Sequence, residues 1–445
     1  MAGDARAAAL AGLKAQRTQG TWPDQFVKKE LGQWGLSRQD TALAVQLLYG
    51  TLQNRQLIDF YLASYSSRKL QKIMPPVLDA LRLGVYQLVF LDKIPASAAV
   101  NESVRLARRS GGPQAAGFAN AVLRQVAANR DHLPLVDQAD FAAYLSTRYS
   151  HPLWFAQRML KILGPEGAER LFAADNQVPP VTVRVNTLRT DPAALGQALE
   201  GEGVRSTPHP WLPDCLVMET GGNLTETQAF QKGLFYIQDP ASQLPPWALA
   251  VQPGEDVLDL CAAPGGKTMI AAQMQRGQGK LLAMDIHGFK CEELLQTSRR
   301  YGIENLEVRA ADSAVFQPGL EGAFHKVICD VPCSGMGILR KKADIRFKQA
   351  GDVEGLPGLQ KRILSCAGAY CKPGGTVVYS TCTVLPEENE QVVQAFLAEN
   401  PAFSLAPLVL PGLGEEPRGW RTLYPHTDGT DGFFLACLRR NQESL

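Results

Sequence analysis

Apolar residues in the first 130 positions recur at three- and four-residue spacing, as in Ala42-Val45-Leu48-Tyr49-Leu52, Val77-Leu81-Val85-Leu88 and Ala121-Val122-Val126. That period lines one face of a helix, so the front of the chain is expected to be helical nearly throughout. Pro75, Pro95 and Pro113 stand where helices start, and Gly111-Gly112 closes the helix before the last one. Residues 130–140 form a short linker, and more helix is expected up to about Ala174. At Pro179-Pro180 the pattern changes. Val181-Thr182-Val183-Arg184-Val185 alternates as a strand, 191–203 has a helical pattern, and Cys215-Leu216-Val217-Met218 is a second strand. This small α+β unit ends near Gln238-Asp239-Pro240.

From about residue 241 strand and helix patterns alternate. Strands are expected at 256–260, 280–285, 306–310, 324–330 and 376–380, with helices near 267–275, 288–301, 356–371 and 387–399. Alternation of this kind implies βαβ units and a parallel sheet. The Gly- and Pro-rich stretch 410–432 is expected to be loop, before a last strand at 432–438. The resulting layout has three parts: a helical domain over 1–135, a helical and small α+β extension over 140–240, and an α/β domain over 241–445.

Bulk numbers change the picture in one respect. The 445 residues carry a net charge of +1, but residues 1–130 hold 17 Lys and Arg against 8 Asp and Glu, and the remainder 28 against 36. A basic helical module joined to a mildly acidic one fits a nucleic-acid-binding accessory domain, and Arg105, Arg108, Arg109 and Arg124 are the candidate phosphate contacts. The bland alternative is a solvated helical face. No apolar run has the roughly 18 residues a membrane span needs. Nine cysteines without a CxxC pair, and no leader-like start, point to a reducing, cytoplasmic setting.

Chemistry concentrates in the last part. Between strands 256–260 and 280–285 lies the small-residue loop Cys261-Ala262-Ala263-Pro264-Gly265-Gly266-Lys267, where a backbone can approach a ligand at the C-terminal edge of a sheet. A phosphate-binding P-loop would need glycine at 261, which is cysteine, and GxGxxG is absent from the loop. A non-phosphate cofactor with a ribose remains. Asp285, twenty positions after Gly265, is placed to accept from both ribose hydroxyls, and Asp312 to lie near an adenine edge. A single strand-end acid is often only a helix cap. Asp285, Asp312 and Asp330 together, with no anion cradle, fit S-adenosylmethionine.

Two cysteines end strands of the same half: Cys333 in Asp330-Val331-Pro332-Cys333-Ser334-Gly335, and Cys382 in Ser380-Thr381-Cys382. They suggest a thiol nucleophile facing the cofactor. Cys215, Cys291, Cys329, Cys366, Cys371 and Cys437 are read as buried small hydrophobes, and Cys261 as a backbone contact. A zinc deaminase would need cysteine at 336, which is Met336, and the six histidines show no metal spacing, so no metal is expected.

At these motifs the chain resembles the RNA cytosine-5 methyltransferases, whose hallmarks are a Pro-Cys and a Thr-Cys pair. The match runs through Gln238-Asp239-Pro240-Ala241-Ser242, the loop 261–268, Ala283-Met284-Asp285, Ala311-Asp312, the two cysteine motifs and Asp431-Gly432-Phe433-Phe434. The front part, with Leu48-Tyr49-Gly50 and Phe118-Ala119-Asn120-Ala121, resembles the NusB-like antitermination domain fused to the ribosomal-RNA branch of that family.

The implied fold is an all-α NusB-like N-terminal domain, a small α+β middle region and a Rossmann-like methyltransferase domain with a mostly parallel sheet. The implied activity moves a methyl group from S-adenosylmethionine to carbon 5 of one cytosine in 16S ribosomal RNA, through a covalent cysteine intermediate. A monomer acting on free small-subunit RNA or an assembly intermediate is expected. A transfer-RNA methyltransferase and a non-catalytic RNA-binding protein are the alternatives.

Carbon 5 of cytosine is a poor nucleophile until a thiolate adds to carbon 6. Spacing leaves open which cysteine attacks. The resemblance makes the Thr-Cys cysteine, Cys382, the nucleophile and gives Cys333 a part in product release. Asp330 is expected to contact the cytosine amino group and ring nitrogen, and Lys267 to assist by hydrogen bonding. The family more often has proline before Asp344 and tryptophan at the position of Phe347, and arginine at Lys290. These departures touch target contacts rather than chemistry.

Overall fold

The computed structural model describes residues 4–219 and 223–442. It divides into two compact units, one of residues 1–176 with 342–350, the other of residues 177–341 with 351–445.

In the first unit the central helix, Pro75–Phe90, is buried from Val77 to Leu88. Its polar residues are therefore paired. Arg82 donates to Asp79 at 3.0 Å and to both oxygens of Asp59 at 2.7 and 2.8 Å. Around it pack Ala5–Gln19, capped by Asp4, Arg38–Gln53, capped by Ser37, and Arg55–Tyr65. The last long helix, Ala96–Ala128, breaks at Gly111-Gly112, where Gly112 takes a positive φ of 74°. The two-glycine stop expected there is present.

Helices Phe141–Tyr149 and Leu153–Asp175 complete the bundle, together with the excursion 342–350. Arg346 on that excursion is buried and donates to the carbonyls of Tyr149, Ser150 and Asp175 at 2.8, 3.2 and 3.0 Å. These carbonyls lie at helix C-termini, where acceptors lack intrahelical donors. Burial pushes the Arg346 guanidinium down to about 10.

The second unit starts with four short antiparallel strands: β1 (Val181–Val185), β2 (Ser206–Pro208), β3 (Cys215–Met218) and β4 (Phe235–Ile237), in the order β2-β3-β1-β4. The main sheet follows, with β5 (Val257–Leu260), β6 (Leu281–Asp285), β7 (Leu306–Ala310), β8 (Phe324–Asp330) and β9 (Cys371–Thr381). β10 (Phe403–Leu405) is its far edge. β11 (Leu408–Leu410) and β12 (Gly414–Glu416) pair apart from it, and β13 (Trp420–Leu423) and β14 (Phe433–Arg440) return to it.

The order is β10-β14-β9-β8-β5-β6-β7, with β5 through β9 parallel and β14 antiparallel to β9. Stretch 410–432, expected to be loop, contains β12 and β13. The Trp420–Leu423 run is four residues long and bounded by Gly419, too short to stand out until its pairing with β14 is visible. Among the described residues no helix is long and apolar enough to cross a membrane.

Candidate active site

The chain winds from β5 through β6 to β7 on one side, then returns to β8 on the other side of β5. The gap between β5 and β8 is thus a topological switch point, where open α/β sheets bind ligands. Both the small-residue loop after β5 and the motif after β8 open onto it. Cys261 and Gly265 have positive φ, 63° and 105°, which turn the chain sharply before the helix Gly266–Gln275. Gly266 lies against Gln238, whose amide nitrogen would be 2.8 Å from an added Cβ. A cavity of about 160 Å³ is lined by Gln238, Ser242, Cys261–Pro264, Gly266, Lys267 and Asp330. Asp285 and Asp312 lie outside it.

Lys267, expected to act by hydrogen bonding, is largely buried. Its ammonium donates to Asp330 at 2.7 Å and Ser242 at 3.1 Å, and sits 5.5 Å from the centre of the Phe433 ring. Burial works against its charge, but the Asp330 carboxylate outweighs it and holds the lysine above its ordinary value. The other Asp330 oxygen accepts from the Ser380 hydroxyl at 2.7 Å. Asp330 is thereby fixed at both oxygens, one strand away from the Cys382 motif.

The two motif cysteines meet. Their sulfurs are 3.1 Å apart at the ends of adjacent parallel strands β8 and β9. Cys261, Cys333 and Cys382 are half-buried and the other six cysteines are buried, which divides them as the residue pattern did. The Gly337 N–H donates to the Cys382 carbonyl at 3.0 Å, and the Gly432 N–H to the Gly337 carbonyl at 2.7 Å. A Cβ on Gly337 would lie 2.0 Å from the Gly432 carbonyl, so this backbone crossing requires glycine.

Asp285 and Asp312 are arranged differently. Asp285 is buried at the end of β6, with one oxygen accepting from the His287 N–H at 3.0 Å. Exposed Asp312 caps the Ala314 N–H at 2.9 Å. No described basic side chain other than His287 is bonded to either acid. A ligand with hydroxyl donors and no phosphate suits such free acceptors, and the loop's small residues leave its backbone open. The residue set fits an adenosyl cofactor.

Several contributors were not assigned a role from sequence. Ser242 and Ser380 hold Lys267 and Asp330. Asp239 and Asp431 bind Arg340 and Lys341, four largely buried charges that tie down the chain just after the Cys333 motif. Asp239 and Asp431 fell inside recognisable motifs, but nothing in a one-dimensional pattern pairs them with Arg340-Lys341 a hundred positions away. Glu388 was hidden by the helix expected over 387–399. That helix starts at Glu390, and residues 386–389 form a turn that brings Glu388 under Cys333.

The basic front face is only partly as expected. Arg105 is bonded to Asp4 and Glu102. Arg124 bonds Asn120 at 3.1 Å. Arg108 and Arg109 are exposed, with no ion-pair partner among the described residues. Phe347, where the family more often has tryptophan, lies inside the helical unit with the Arg55 guanidinium 5.0 Å from its ring centre.

Comparison with known proteins gives the family. The family described as 16S rRNA methyltransferase RsmB/F matches residues 246–439, a related ferredoxin-like domain 151–225, and the NusB family 4–128. A probable ribosomal RNA small subunit methyltransferase B of Bacillus subtilis is 34% identical, covering 91% of this chain and 92% of its own length. Ribosomal RNA small subunit methyltransferase B of Vibrio cholerae is 32% identical, covering 90% of each. The crystal structure of a methyltransferase homolog protein from Pyrococcus horikoshii, 32% identical, covers 68% of this chain and 99% of its own, with a TM-score of 0.58. The chain belongs to the RsmB/F methyltransferase family, with a NusB-type helical domain ahead of a ferredoxin-like region and the methyltransferase fold.

Proposed function

We propose that this chain methylates carbon 5 of a cytosine in 16S ribosomal RNA, using S-adenosylmethionine, with Cys382 as nucleophile. The observation that carries the reading is the pair of sulfurs 3.1 Å apart, one strand from an aspartate clamped by Lys267 and Ser380. S-adenosylmethionine supplies an electrophilic methyl group. Asp285, Asp312 and the loop 261–267 would hold it, with Asp330 at the boundary between cofactor and base.

Cys382 adds to carbon 6, and the carbon 5–carbon 6 π pair becomes available at carbon 5 for methylation. Asp330 accepts from the cytosine amino group, and Lys267 steadies it as charge develops on the ring. Afterwards a solvent water takes the carbon 5 proton, the C–H electron pair restores the double bond, and the carbon 6–sulfur pair returns to Cys382. Cys333, in contact with that sulfur, assists release.

Residues 1–135 and 140–240 serve RNA binding in this reading, with Arg108 and Arg109 on phosphates. The protein works in the cytoplasm as a monomer, on free RNA or an assembly intermediate. Bisulfite sequencing of total RNA with and without the gene tests the target. Loss of one 16S cytosine mark is expected; loss confined to transfer RNA overturns the substrate and leaves the chemistry.

A further inference from the structure

The Cys333 backbone is gripped from below on both sides. Glu388 Oε2 accepts from the N–H of Ser334 at 2.8 Å, directly after the cysteine. Gln360 Nε2 donates to the Pro332 carbonyl at 3.0 Å, directly before it, and to the same Glu388 oxygen at 2.8 Å. The backbone carbonyl of Glu388 accepts from the Tyr379 hydroxyl at 2.5 Å. Glu388 is 1% exposed, and its Oε1 has no hydrogen-bond partner among the described residues.

A neutral amide oxygen at this position could accept the same two bonds and hold the turn. A buried carboxylate with a bare oxygen is costly unless its charge is used. Among the described residues no lysine or arginine side chain is bonded to it. The charges around the sulfur pair are thus arranged in opposition. Lys267, at the start of the helix after the loop, faces Cys382, with Asp330 at the end of β8 and Asp259 in β5 beyond it. Glu388, from the turn after β9, faces Cys333.

We propose that Glu388 is a positioning residue that keeps the proton of the sulfur pair on Cys333, leaving the negative charge to Cys382. The proposal rests on the two-cysteine reading above. It explains how two thiols in contact take different parts: a cation stands behind one and an anion behind the other. The Cys333 thiol is held well above its ordinary range, first by its hydrogen bond to Cys382, then by burial, and further by the charges of Cys382 and Glu388. A negative charge on Cys382 in turn helps hold Lys267 protonated.

The test is the pH dependence of iodoacetamide labelling at each cysteine, read by peptide mass spectrometry on the full-length protein. Glu388→Gln keeps an oxygen for the Ser334 N–H and removes the charge. The half-labelling pH of Cys333 should fall by about one unit, about tenfold in rate at fixed pH. Gln360→Met, which loosens the grip without changing charge, should leave that pH in place. An unmoved Cys333 profile in folded Glu388→Gln, or an equal shift in Gln360→Met, overturns the proposal.

Glu388→Asp withdraws the carboxylate by one methylene and covers failure of the amide variant to fold. It should move Cys333 the same way by a few tenths of a unit, and no shift or an opposite one counts against the idea. Failure of the underlying reading looks different. RNA adducts would then map to Cys333 in wild type, whatever the labelling profiles do.

Discussion

On the β6–β7 side of the switch point, strand-end carboxylates bind little beyond their own backbone: Asp285 the His287 N–H, Asp312 the Ala314 N–H. On the β8–β9 side the groups nearest the sulfur pair are already engaged with one another. Asp330 is held by Lys267 and Ser380, Cys333 touches Cys382, and the turns behind them are bonded through Glu388, Gln360, Thr383 and Asn389. The difference follows from what each side meets. An exchangeable small molecule needs acceptors left open for it. Groups that respond to charge developing on a bound base work best when their reorganisation is complete before the reaction. One sheet edge therefore carries an open half and a preassembled half.

The preassembled half should give the largest effects. Cys382→Ala is expected to abolish methyl transfer, a loss on the order of 10⁴-fold or more, with no covalent RNA adduct. Cys333→Ala should still form the adduct but release it slowly, leaving protein trapped on RNA in a denaturing gel. Adducts from Cys382→Ala and none from Cys333→Ala would exchange the two roles. They would leave the contrast between the halves intact.

Next come the carboxylates, one from each half. Asp330→Asn breaks the ion pair with Lys267 and should lower kcat by roughly 10²- to 10³-fold with little change in cofactor affinity. Asp285→Asn should do the reverse, weakening S-adenosylmethionine binding roughly tenfold, the equivalent of about 1.4 kcal/mol, while kcat at saturating cofactor holds. Calorimetric titration with cofactor, set beside steady-state rates, reads both. If Asp285→Asn lowered kcat as steeply as Asp330→Asn, the division of the edge into a binding half and a reacting half would not stand.

Outside the sheet, the exposed arginines of the front unit test how far binding is separate from chemistry. Joint replacement of Arg108 and Arg109 by Ala should weaken RNA binding several-fold at low salt and reduce its salt slope by about two. Cofactor binding should stay as it is. Arg105→Ala should contribute less, because Asp4 and Glu102 already engage its guanidinium. Filter binding across a salt series that shows no difference for the pair would make this face a solvated one.

How much of this was legible in the sequence depends on the distance over which each feature is specified. The strand–loop–helix around 257–275 was readable because four strand residues, a small-residue loop and a helix are all local signals. The cysteine motifs were readable as strand ends, but their sulfur contact was not, because it needs β8 and β9 to be neighbours. Lys267 was expected to assist by hydrogen bonding, but its partner Asp330, 63 positions away, could not be read from a local pattern. Glu388 was misplaced onto a helix because Pro386-Glu387-Glu388 has the composition of a helix N-terminus. Short edge strands such as Trp420–Leu423 carry too little pattern to be seen before their partner is known.

The last effect, on stability and not on binding or rate, lies under the seam between the two halves. Asp259 on β5 is 1% exposed; its Oδ2 accepts from the Thr268 hydroxyl at 2.6 Å and its Oδ1 has no partner among the described residues. Burial raises it to about 7, and the nearby charges of Asp330 and Asp285 add to the rise against the opposing pull of Thr268 and Lys267. In the unfolded chain this carboxyl titrates near 3.8. Between those two values the folded protein binds more protons than the unfolded one. Asp259 therefore makes stability fall as pH rises from about 4 to about 7, with no further loss above that window. Asp259→Asn removes the titration and keeps an acceptor for Thr268. An amide hydrogen placed where Oδ1 now lies unpaired adds at most a pH-independent offset. The variant's thermal stability relative to wild type should accordingly improve between pH 5 and pH 8, by on the order of 2 kcal/mol or several degrees in Tm. A Tm difference that is the same at both pH values would mean that Asp259 stays ionised under the loop, and that the seam is as charged as the half it borders.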